Sequence, residues 1–329
     1  MTDSVTLVTG ATGLLGSAII RTMHREGRPV IGFVQTGQDA TPLQNLGVPF
    51  RTGDLLCRED IDNALKGVDV VIHTAALTDI WPGRNPALWK VNLEGTRNLV
   101  EAAEESKVKK MIYVGTANSF GFGSKDNPGD ETRPYTAARY RVDYLDSKYA
   151  TQRYILDKVK NSNFPAVVVN PTFMIGPCES QKGSIQMIRA VVSRKVPGYT
   201  RGGRNYIYVN DAVRGIINAV QKGRTGECYI LGNKNLNYKE MFSLIAREAG
   251  VPAPRIPFPA PLALAYASLL SLLAFITGKA PAVSLGMARI SKDGHYYSPR
   301  KAIEELELPQ TPIEVAVREA LSTVVSAKS

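Results

Sequence analysis

The stretch VTLVTGATGLLGSAII, residues 5–20, decides the fold class of this chain. A short apolar run leads into three glycines spaced three apart, and a helical pattern follows. Gly10 permits a tight turn, Gly13 lets the backbone approach a phosphate, and Gly16 lets helix and strand pack closely. The positive end of the helix would then face the anion. The predicted dinucleotide contacts here are Gly10, Thr12, Gly13, Leu14 and Gly16.

Similar strand and helix patterns alternate along the next 150 residues. PVIGFV, VDVVIHTAA, KKMIYVGTA and AVVVNPT are apolar throughout and are separated by amphipathic helical segments. Such strands indicate a parallel sheet covered on both faces, which is a doubly wound α/β Rossmann fold. We expect the later run GECYILG to return to this sheet. The Rossmann domain is predicted as 1–171 with 206–231, and a smaller C-terminal substrate-binding lobe as 172–205 with 232–329.

Composition narrows the function classes. The chain has 329 residues, 44% of them hydrophobic, and a formal net charge of +10. Lys and Arg are spread along the chain without a basic block, so we expect no nucleic-acid partner. The three cysteines are far apart, and neither a disulfide framework nor a metal site is expected. The start of the chain lacks the pattern of a secretory signal, which favours a cytoplasmic location.

Residues 261–277, PLALAYASLLSLLAFIT, contain no charge. Seventeen residues is close to the shortest span of a bilayer, for which about 20 are typical. Two serines, the absence of an adjacent basic cluster and a position inside a folded region favour a helix buried in the lobe. A weak membrane-surface contact and a wall for an apolar substrate are the alternatives.

The last helical pattern begins at TPIEVAVREALSTVV. Thr311 is predicted as its N-cap, and Glu314 as its capping-box partner three residues later.

The cofactor type is not fixed by the segment after the second strand. Residues 33–37 read FVQTG, with no carboxylate before Asp39. NAD enzymes usually place an acidic residue there for the ribose 2′-hydroxyl. Because no basic residue replaces it, we expect NADP(H) only slightly ahead of NAD(H).

Motifs from end to end identify a family. In order they are TGATGLLG, GDL at 53–55, HTAA at 73–76, VNLEGTRNLVEAA at 91–103, VGTANSFG at 114–121, Tyr144-x3-Lys148, NPT at 170–172 and RNYIYVND at 204–211. On these residues the chain resembles the extended short-chain dehydrogenase/reductase (SDR) superfamily over nearly its whole length. It is most similar to the dihydroflavonol-reductase-like and NAD-dependent epimerase/dehydratase branch.

This resemblance implies several further cofactor contacts. They are Asp54 and Leu55 beside the adenine, Ala75 and Ala76 along the dinucleotide, and Pro171 and Thr172 near the nicotinamide. Asp54 could instead be a turn carboxylate. Asn92 is expected either to hold water or backbone near the site or to serve in helix packing. The resemblance also implies a homodimer through the helices at 92–105 and 143–160.

Tyr144 and Lys148 are four residues apart and therefore share a helix face. A phenol has a pKa of about 10, and a nearby ammonium is expected to lower it, so Tyr144 could transfer a proton during hydride transfer. By resemblance, Lys148 also binds the cofactor ribose, and a hydroxyl after the fifth strand holds the reacting oxygen. Thr116 is our choice for that hydroxyl, with Ser119 as the fallback.

A second pair, Tyr154 and Lys158, repeats the spacing. It lies ten residues further, about 15 Å along a helix, and cannot reach the same nicotinamide. We expect Tyr154 to pack on the sheet or face solvent.

Substrate contacts are expected from loops at the carboxyl ends of the strands. The candidates are Thr78, Ile80, Trp81, Phe120, Phe122, Phe173, Met174 and Tyr199. Their mostly apolar character indicates a hydrophobic or aromatic ketone or aldehyde, although each could equally pack the lobe on the sheet. Arg204, with Arg201, could bind an anion as in sugar-nucleotide epimerases; a surface-loop arginine bonded to backbone or to Asp211 is the favoured alternative.

The leading hypothesis is an NAD(P)H-dependent carbonyl reductase. A sugar-nucleotide epimerase or dehydratase with permanently held NAD is the first alternative. A 3β-hydroxysteroid-dehydrogenase-like enzyme at a membrane surface is the second. A redox-sensing regulator without chemistry is disfavoured by the combination of Thr116, Tyr144 and Lys148.

Overall fold

The structure is a computed structural model that describes residues 4–177, 183–196, 198–281 and 283–326. Cys178 therefore lies outside the described residues. The strands are β1 (Thr6–Thr9), β2 (Val30–Gln35), β3 (Phe50–Gly53), β4 (Val70–His73), β5 (Lys110–Val114), β6 (Ala166–Pro171), β7 (Phe173–Ile175), β8 (Gly198–Tyr199), β9 (Gly203–Tyr208), β10 (Cys228–Leu231), β11 (Lys234–Asn237), β12 (Ile256–Pro257) and β13 (Gly294–His295). The helices are α1 (Leu14–Arg25), α2 (Thr41–Gln44), α3 (Arg58–Leu65), α4 (Pro86–Trp89), α5 (Gly95–Glu105), α6 (Asp143–Ser162), α7 (Ser184–Val192), α8 (Val209–Lys222), α9 (Tyr238–Glu248), α10 (Ala260–Thr277), α11 (Leu285–Ser291), α12 (Arg300–Leu306) and α13 (Ile313–Ser326).

Seven parallel strands form the central sheet, in the order β3-β2-β1-β4-β5-β6-β10. The predicted doubly wound α/β fold is confirmed, and the GECYILG run does return to the sheet as β10. The strand order reverses between β1 and β4. In such sheets ligands bind in the crevice outside the carboxyl ends of the strands at this reversal.

Each face of the central sheet has its own apolar core. One core contains buried residues of α1 and α8, such as Ile19 and Ile216. The other contains buried residues of α3, α5 and α6, such as Ile61, Leu99 and Ile155. Since both faces are covered, the inner strands are mostly apolar, as the sequence pattern indicates.

A smaller sheet is built around β9. Strand β11 pairs with it antiparallel, and β13 and β7 pair with it in parallel. A separate pair joins β8 and β12. The predicted domain boundary at residue 206 therefore falls inside β9. Because β7 follows directly after β6, the smaller sheet begins at the carboxyl end of the central one.

The apolar run forms α10, but the expectation that this helix is buried is wrong. Only Ala267, Ser271 and Ala274 of the helix are buried. Among the described residues it is the one helix that is long and apolar enough to cross a bilayer, with a mean hydropathy of 1.9. The physical reason is that the side of α10 that faces the protein carries small side chains. The large apolar side chains of the helix point outward.

The predicted N-cap role of Thr311 is also wrong. Helix α13 begins at Ile313, and Thr311 directs its hydrogen-bonding groups at Asp211 instead. Its backbone N–H donates to Oδ2 and its hydroxyl to Oδ1, both at 2.8 Å. Thr311 therefore fastens the start of α13 to α8.

Candidate active site

The glycine loop between β1 and α1 leaves no room for side chains. Gly10 has a φ of +67°, and a Cβ on it would lie 2.8 Å from the Ala75 nitrogen. A Cβ on Gly16 would lie 2.2 Å from the Gly10 carbonyl oxygen. Gly13 is the N-cap of α1 and offers no capping side chain, and the first turn holds no acidic residue. The N-terminal amides of α1 therefore face no competing carboxylate, which fits the pyrophosphate of a dinucleotide.

Neutral amides occupy the loop after β2. The Thr12 hydroxyl donates to Gln38 Oε1 at 2.6 Å, and Gln38 Nε2 donates to Gln35 Oε1 at 3.3 Å. Asp39 accepts the backbone N–H of Thr41 at 2.9 Å, and hydrogen bonds from Thr41 lower the pKa of that carboxyl. The first carboxylate after β2 is therefore used at the start of α2.

Asp54 has the role of a turn carboxylate, which was the alternative to a contact with the adenine. Its Oδ1 accepts the backbone N–H of Leu56 at 2.9 Å. Leu55 is buried, and its carbonyl accepts a hydrogen bond of 3.1 Å from the Asn98 side chain. The adenine contacts of Asp54 and Leu55 stay predictions.

His73 ends β4 as a buried neutral imidazole. Its Nδ1 lies 2.7 Å from Thr9 Oγ1, and its Nε2 lies 2.8 Å from Thr96 Oγ1. Because the Thr96 hydroxyl donates to the Asn92 carbonyl at 2.6 Å, we assign Nε2 as protonated and Nδ1 as the acceptor. Burial, and secondarily the charge of Lys148, lowers the pKa of His73 to about 3. The ring therefore joins β1 and β4 to the next helical segment as an uncharged link.

Asn92 lies in a π-helical turn, Lys90–Glu94, directly before α5. Its Oδ1 accepts the N–H of Leu77 at 2.8 Å, and its Nδ2 donates to the Leu77 carbonyl at 3.0 Å and to Ser147 Oγ at 3.1 Å. Asn92 thus holds the loop that carries Ala75 and Ala76 against α6. Of its two predicted roles, holding backbone near the site is the one the contacts favour.

The turn that Thr116 caps packs against α6, the helix that carries Tyr144. Thr116 follows β5 and caps a 3-10 turn, accepting the backbone N–H of Asn118 at 3.4 Å. Burial raises the pKa of Tyr144, and a hydrogen bond from the Thr116 hydroxyl opposes that rise. The fallback Ser119 is buried, and its hydroxyl has no hydrogen-bond partner among the described residues. The geometry thus favours Thr116 over Ser119.

Lys148 lies on the same helix as Tyr144, but it does not lower the pKa of the phenol as we expected. Burial lowers the pKa of Lys148 to about 7, and its Nζ donates to the Val114 carbonyl at 2.6 Å. The expected lowering of the pKa of Tyr144 by the ammonium is therefore wrong for this structure. The physical reason is that burial removes water from both groups, which raises the pKa of the phenol and lowers that of the amine.

Asn170 holds the backbone of Thr116 and was not among the predicted site residues. Asn170, the last residue before the Pro171–Thr172 dipeptide, is fully buried and donates to the Thr116 carbonyl at 3.0 Å and to Gln152 Oε1 at 2.8 Å. A Cβ on Gly115 would lie 2.6 Å from the Asn170 side-chain nitrogen. The polar residue within an otherwise apolar strand was the available signal.

The nicotinamide candidate Thr172 joins the two sheets. Its hydroxyl donates to Asn205 Oδ1 at 2.9 Å, and its N–H donates to the Leu231 carbonyl at 2.9 Å. Pro171 is buried at the end of β6. The contacts hold this edge of the sheet rigid beside Thr116.

A second missed residue, His295, comes from the lobe. Its Nδ1 lies 3.0 Å from Asn118 Oδ1, its Nε2 lies 3.2 Å from the Tyr140 hydroxyl, and its ring lies 4.5 Å from that of Phe122. The Asn118 side-chain nitrogen in turn donates to Thr116 Oγ1 at 3.4 Å. Only tertiary pairing of β13 with β9 brings this histidine, distant in sequence, to the site.

The substrate candidates divide into two groups. Phe120 is 7% exposed and packs in the core with Tyr297, so it has the packing role that was the alternative to a substrate contact. Phe122, Phe173, Met174, Tyr199, Ile80 and Trp81 are half-buried, and Thr78 is exposed. The Trp81 ring lies 4.6 Å from that of Phe275 in α10. The half-buried group therefore keeps surface available to a ligand.

Arg204 is not the surface-loop arginine that was favoured. It lies half-buried in β9, donates to the Tyr238 hydroxyl at 3.0 Å and lies 4.8 Å from the Phe173 ring centroid. The expected bond to Asp211 is wrong, because that carboxylate is occupied by Thr311. Arg201 is exposed in the bend before β9.

The second tyrosine–lysine pair, Tyr154 and Lys158, faces another helix. Tyr154 donates to Glu101 at 3.4 Å and Lys158 to Glu104 at 2.7 Å, both in α5. The exclusion of this pair from the site is consistent with these contacts. The homodimer predicted through α5 and α6 stays a prediction.

Comparison with known proteins gives the family of this chain. Residues 6–232 match the sequence profile of the NAD dependent epimerase/dehydratase family. A Synechocystis protein provisionally named dihydroflavonol 4-reductase is 28% identical over 95% of this chain and 92% of its own length. Sterol demethylase protein B of Methylococcus capsulatus is 27% identical over 96% of this chain and 97% of its own. The crystal structure of gox2253 superposes with a TM-score of 0.86 at 32% identity, covering 99% of both chains.

Proposed function

Since this chain belongs to the NAD-dependent epimerase/dehydratase family and is an NAD(P)-dependent enzyme of CH–OH and C=O groups, we propose that it reduces an apolar ketone or aldehyde. One observation carries the proposal: the turn that Thr116 caps, at the carboxyl end of β5, packs against α6, which presents Tyr144 one helical turn before Lys148. A carbonyl oxygen placed between the two hydroxyls would accept a hydrogen bond from each.

The bound dinucleotide would supply the hydride to the carbonyl carbon. Tyr144 would donate its proton to the oxygen, and solvent would later return a proton to the phenolate. Burial raises the pKa of Tyr144, so the phenol is protonated near neutral pH and is ready to act as the acid. The Thr116 hydroxyl would donate to the carbonyl oxygen and stabilise the charge that develops there.

Lys148 would bind the ribose of the cofactor, as the resemblance implies. Its pKa of about 7 in the buried site means that ligand oxygens which accept its protons would favour the charged form. Cofactor binding would then draw protons onto Lys148.

An apolar substrate is supported by the half-buried aromatic side chains. Phe122 contacts His295 beside the Thr116 network, and Phe173 lies one residue after Thr172. Such surfaces gain free energy by covering apolar ligand atoms, at about 25 cal/mol per Å². The Synechocystis and Methylococcus relatives carry names of enzymes that act on flavonol and sterol compounds.

We further propose NADP(H) as the preferred cofactor. The support is that the loop after β2 presents Gln35 and Gln38 and directs Asp39 to Thr41. A carboxylate directly at the end of β2 would repel a 2′-phosphate, whereas a side-chain amide there can donate a hydrogen bond to it.

The test is a screen of aliphatic, aromatic and polycyclic carbonyl compounds with NADPH and NADH, monitored by loss of the reduced nicotinamide. We expect turnover with at least one apolar compound and a lower KM for NADPH. Released nucleotide is identified by mass spectrometry after denaturation. Stoichiometric NAD combined with no carbonyl turnover would contradict the reductase.

A sugar-nucleotide epimerase or dehydratase is the second candidate. Arg204 supports it, because the hydrogen bond of this half-buried guanidinium goes to the uncharged Tyr238 hydroxyl. A diphosphate would supply the missing negative charge. Retained NAD together with conversion of a nucleotide sugar would establish this function instead.

A further inference from the structure

Helix α10 shows the reverse of the pattern expected for a helix on a water-soluble surface. Its buried stripe consists of Ala267, Ser271 and Ala274. On the opposite side Leu269 is 56% exposed and Ile276 is 75% exposed. A surface helix normally buries its large apolar side chains and exposes small or polar ones. The outer face of α10 is therefore built to contact something apolar.

The exposed apolar side chains of the protein are concentrated at this helix. Among the described residues, every large hydrophobic side chain that is exposed lies between positions 256 and 287, with the single exception of Ile303. They are Ile256, Leu262, Tyr266, Leu269, Leu272, Leu273, Phe275, Ile276, Val283 and Met287. We call this set the α10 patch. Contiguous apolar surfaces of this kind mark interaction sites.

The charges around the patch indicate what covers it. Residues 249–292 contain four cationic side chains and no Asp or Glu. Arg255, Lys279 and Lys292 are exposed, and Arg289 is half-buried. A symmetric dimer through α10 would bring a second set of the same cations to the rim. A lipid surface with anionic headgroups instead pairs them, at a favourable free energy for each cation near the surface.

We propose that the α10 patch docks on an anionic phospholipid bilayer, with the helix lying in the interface. At a rise of 1.5 Å per residue, its 18 residues give an apolar contact about 27 Å long. The inward stripe of small residues keeps the helix attached to the body of the protein through Ser271, whose hydroxyl accepts the N–H of Leu285 at 3.0 Å. The outer stripe is then free to enter the acyl region.

The docked helix would lie against the substrate side of the protein. Phe275 contacts Trp81, and Gly286 of α11 packs on Ile80. Both Trp81 and Ile80 lie in the segment that follows β4, at the carboxyl edge of the central sheet. Docking through α10 therefore places the mouth of the proposed substrate cleft near the lipid. The docking itself does not depend on the reductase function.

Sedimentation with vesicles tests the proposal on the full chain without substrate. We expect binding to vesicles of phosphatidylcholine mixed with phosphatidylglycerol, weaker binding to pure phosphatidylcholine, and a decrease with added salt. The double variant Leu269→Glu/Ile276→Glu should bind the mixed vesicles at least about tenfold more weakly, because two buried apolar side chains are lost. Both positions face solvent, so folding should be unchanged by circular dichroism.

The matched control is Ile303→Glu, which makes the same chemical change at the one exposed large hydrophobic side chain that lies outside the patch among the described residues. It should bind vesicles like the parent. In a Trp89→Phe background, Trp81 becomes the only tryptophan, and vesicles should shift its emission to shorter wavelength.

Three results would overturn the proposal. They are the absence of vesicle binding at low salt, equal binding by the double variant and the parent, and a lipid-free dimer that the double variant disperses in sedimentation velocity. The last would show that a second copy covers the patch.

Discussion

The Nζ of Lys148 donates a hydrogen bond of 2.6 Å to the carbonyl of Val114, the last residue of β5. The lysine is 3% exposed, and its Nζ lies 4.5 Å from the ring centroid of Tyr113. The ammonium is thus held between the strand end and an aromatic face, on the helix that presents Tyr144. Its burial lowers its pKa from 10.5 to about 7.

This depressed pKa predicts a pH-dependent stability. Between about pH 7 and 10.5 the unfolded chain holds a proton on Lys148 that the folded chain has lost, so stability rises with pH in this window. Lys148→Met removes the titration. Its free energy of unfolding, relative to that of the parent, should therefore be highest below about pH 7 and fall as the pH rises. The lost bond to Val114 shifts this difference equally at every pH.

Urea unfolding at several pH values measures the slope. Lys158→Met is the matched control, because Lys158 lies on the same helix but is paired with Glu104 at the surface. A difference between Lys148→Met and the parent that does not change with pH would contradict the prediction.

Removing the phenol should stop proton transfer. Tyr144→Phe is expected to lower kcat by about 100- to 10,000-fold, the usual contribution of a general acid, while cofactor affinity measured by fluorescence changes little. Tyr154→Phe serves as the control, since Tyr154 bonds to Glu101 on α5. Turnover retained by Tyr144→Phe would exclude this residue as the proton donor.

The two hydroxyls after β5 can be separated by conservative replacements. Thr116→Val keeps the shape but removes the hydroxyl that would hold the reacting carbonyl oxygen, and we expect kcat to fall by about 100-fold or more. Thr116→Ser should recover much of that loss. Ser119→Ala should have little effect on kcat, because the Ser119 hydroxyl has no partner among the described residues. The reverse order of effects would transfer the role to Ser119.

His295 is predicted to position Thr116 through Asn118. Burial, and then the charge of Arg204, lowers the pKa of His295 to about 3, so the ring stays neutral across the working range. His295→Leu removes the bond to Asn118 and should lower kcat by about tenfold or more through misplacement of Thr116. His295→Gln, which offers an N–H donor, should retain more activity.

Two further measurements separate a positioning role of His295 from a general loss of structure in its variants. The KM for the dinucleotide and the pH profile between about pH 5 and 8 should match those of the parent, because the pKa of a neutral His295 lies well below that range. An altered pH profile in that range would show that His295 titrates in the reaction.

The glycine loop predicts graded effects of adding one methyl group. Gly16→Ala puts a Cβ 2.2 Å from the Gly10 carbonyl oxygen, whereas Gly13→Ala puts it at 3.2 Å. We expect Gly16→Ala to lower thermal stability by several degrees, which corresponds to roughly 1–3 kcal/mol of overpacking. Gly13→Ala should fold normally and weaken dinucleotide binding, as measured by titration. Equal melting temperatures for the two variants would contradict this ranking.

Candidate site residues could be chosen where chemistry follows local spacing. Thr116 and Tyr144 were chosen from their order in a motif series and from the four-residue spacing to Lys148. The turn that Thr116 caps does pack against the helix of Tyr144, and their catalytic roles stay predictions. Asn170 and His295 were missed, because a buried amide in a strand and a histidine near the end of the chain gain their meaning only through partners far away in sequence. The direction of the pKa of Tyr144 was missed for the same reason, since burial is a property of the assembled fold.

The sequence by itself determined the parallel sheet and the glycine loop, and it supplied Thr116 and Tyr144 as the candidates for catalysis, because each of these depends on a local motif. Only the tertiary structure decided the orientation of α10 and the partners of Arg204 and Thr311. Composition reports that residues 261–277 are apolar, but which side of a uniformly apolar helix faces the protein depends on the shape of the surface against which it packs. Here that surface admits only Ala267, Ser271 and Ala274, and the large side chains are left outside.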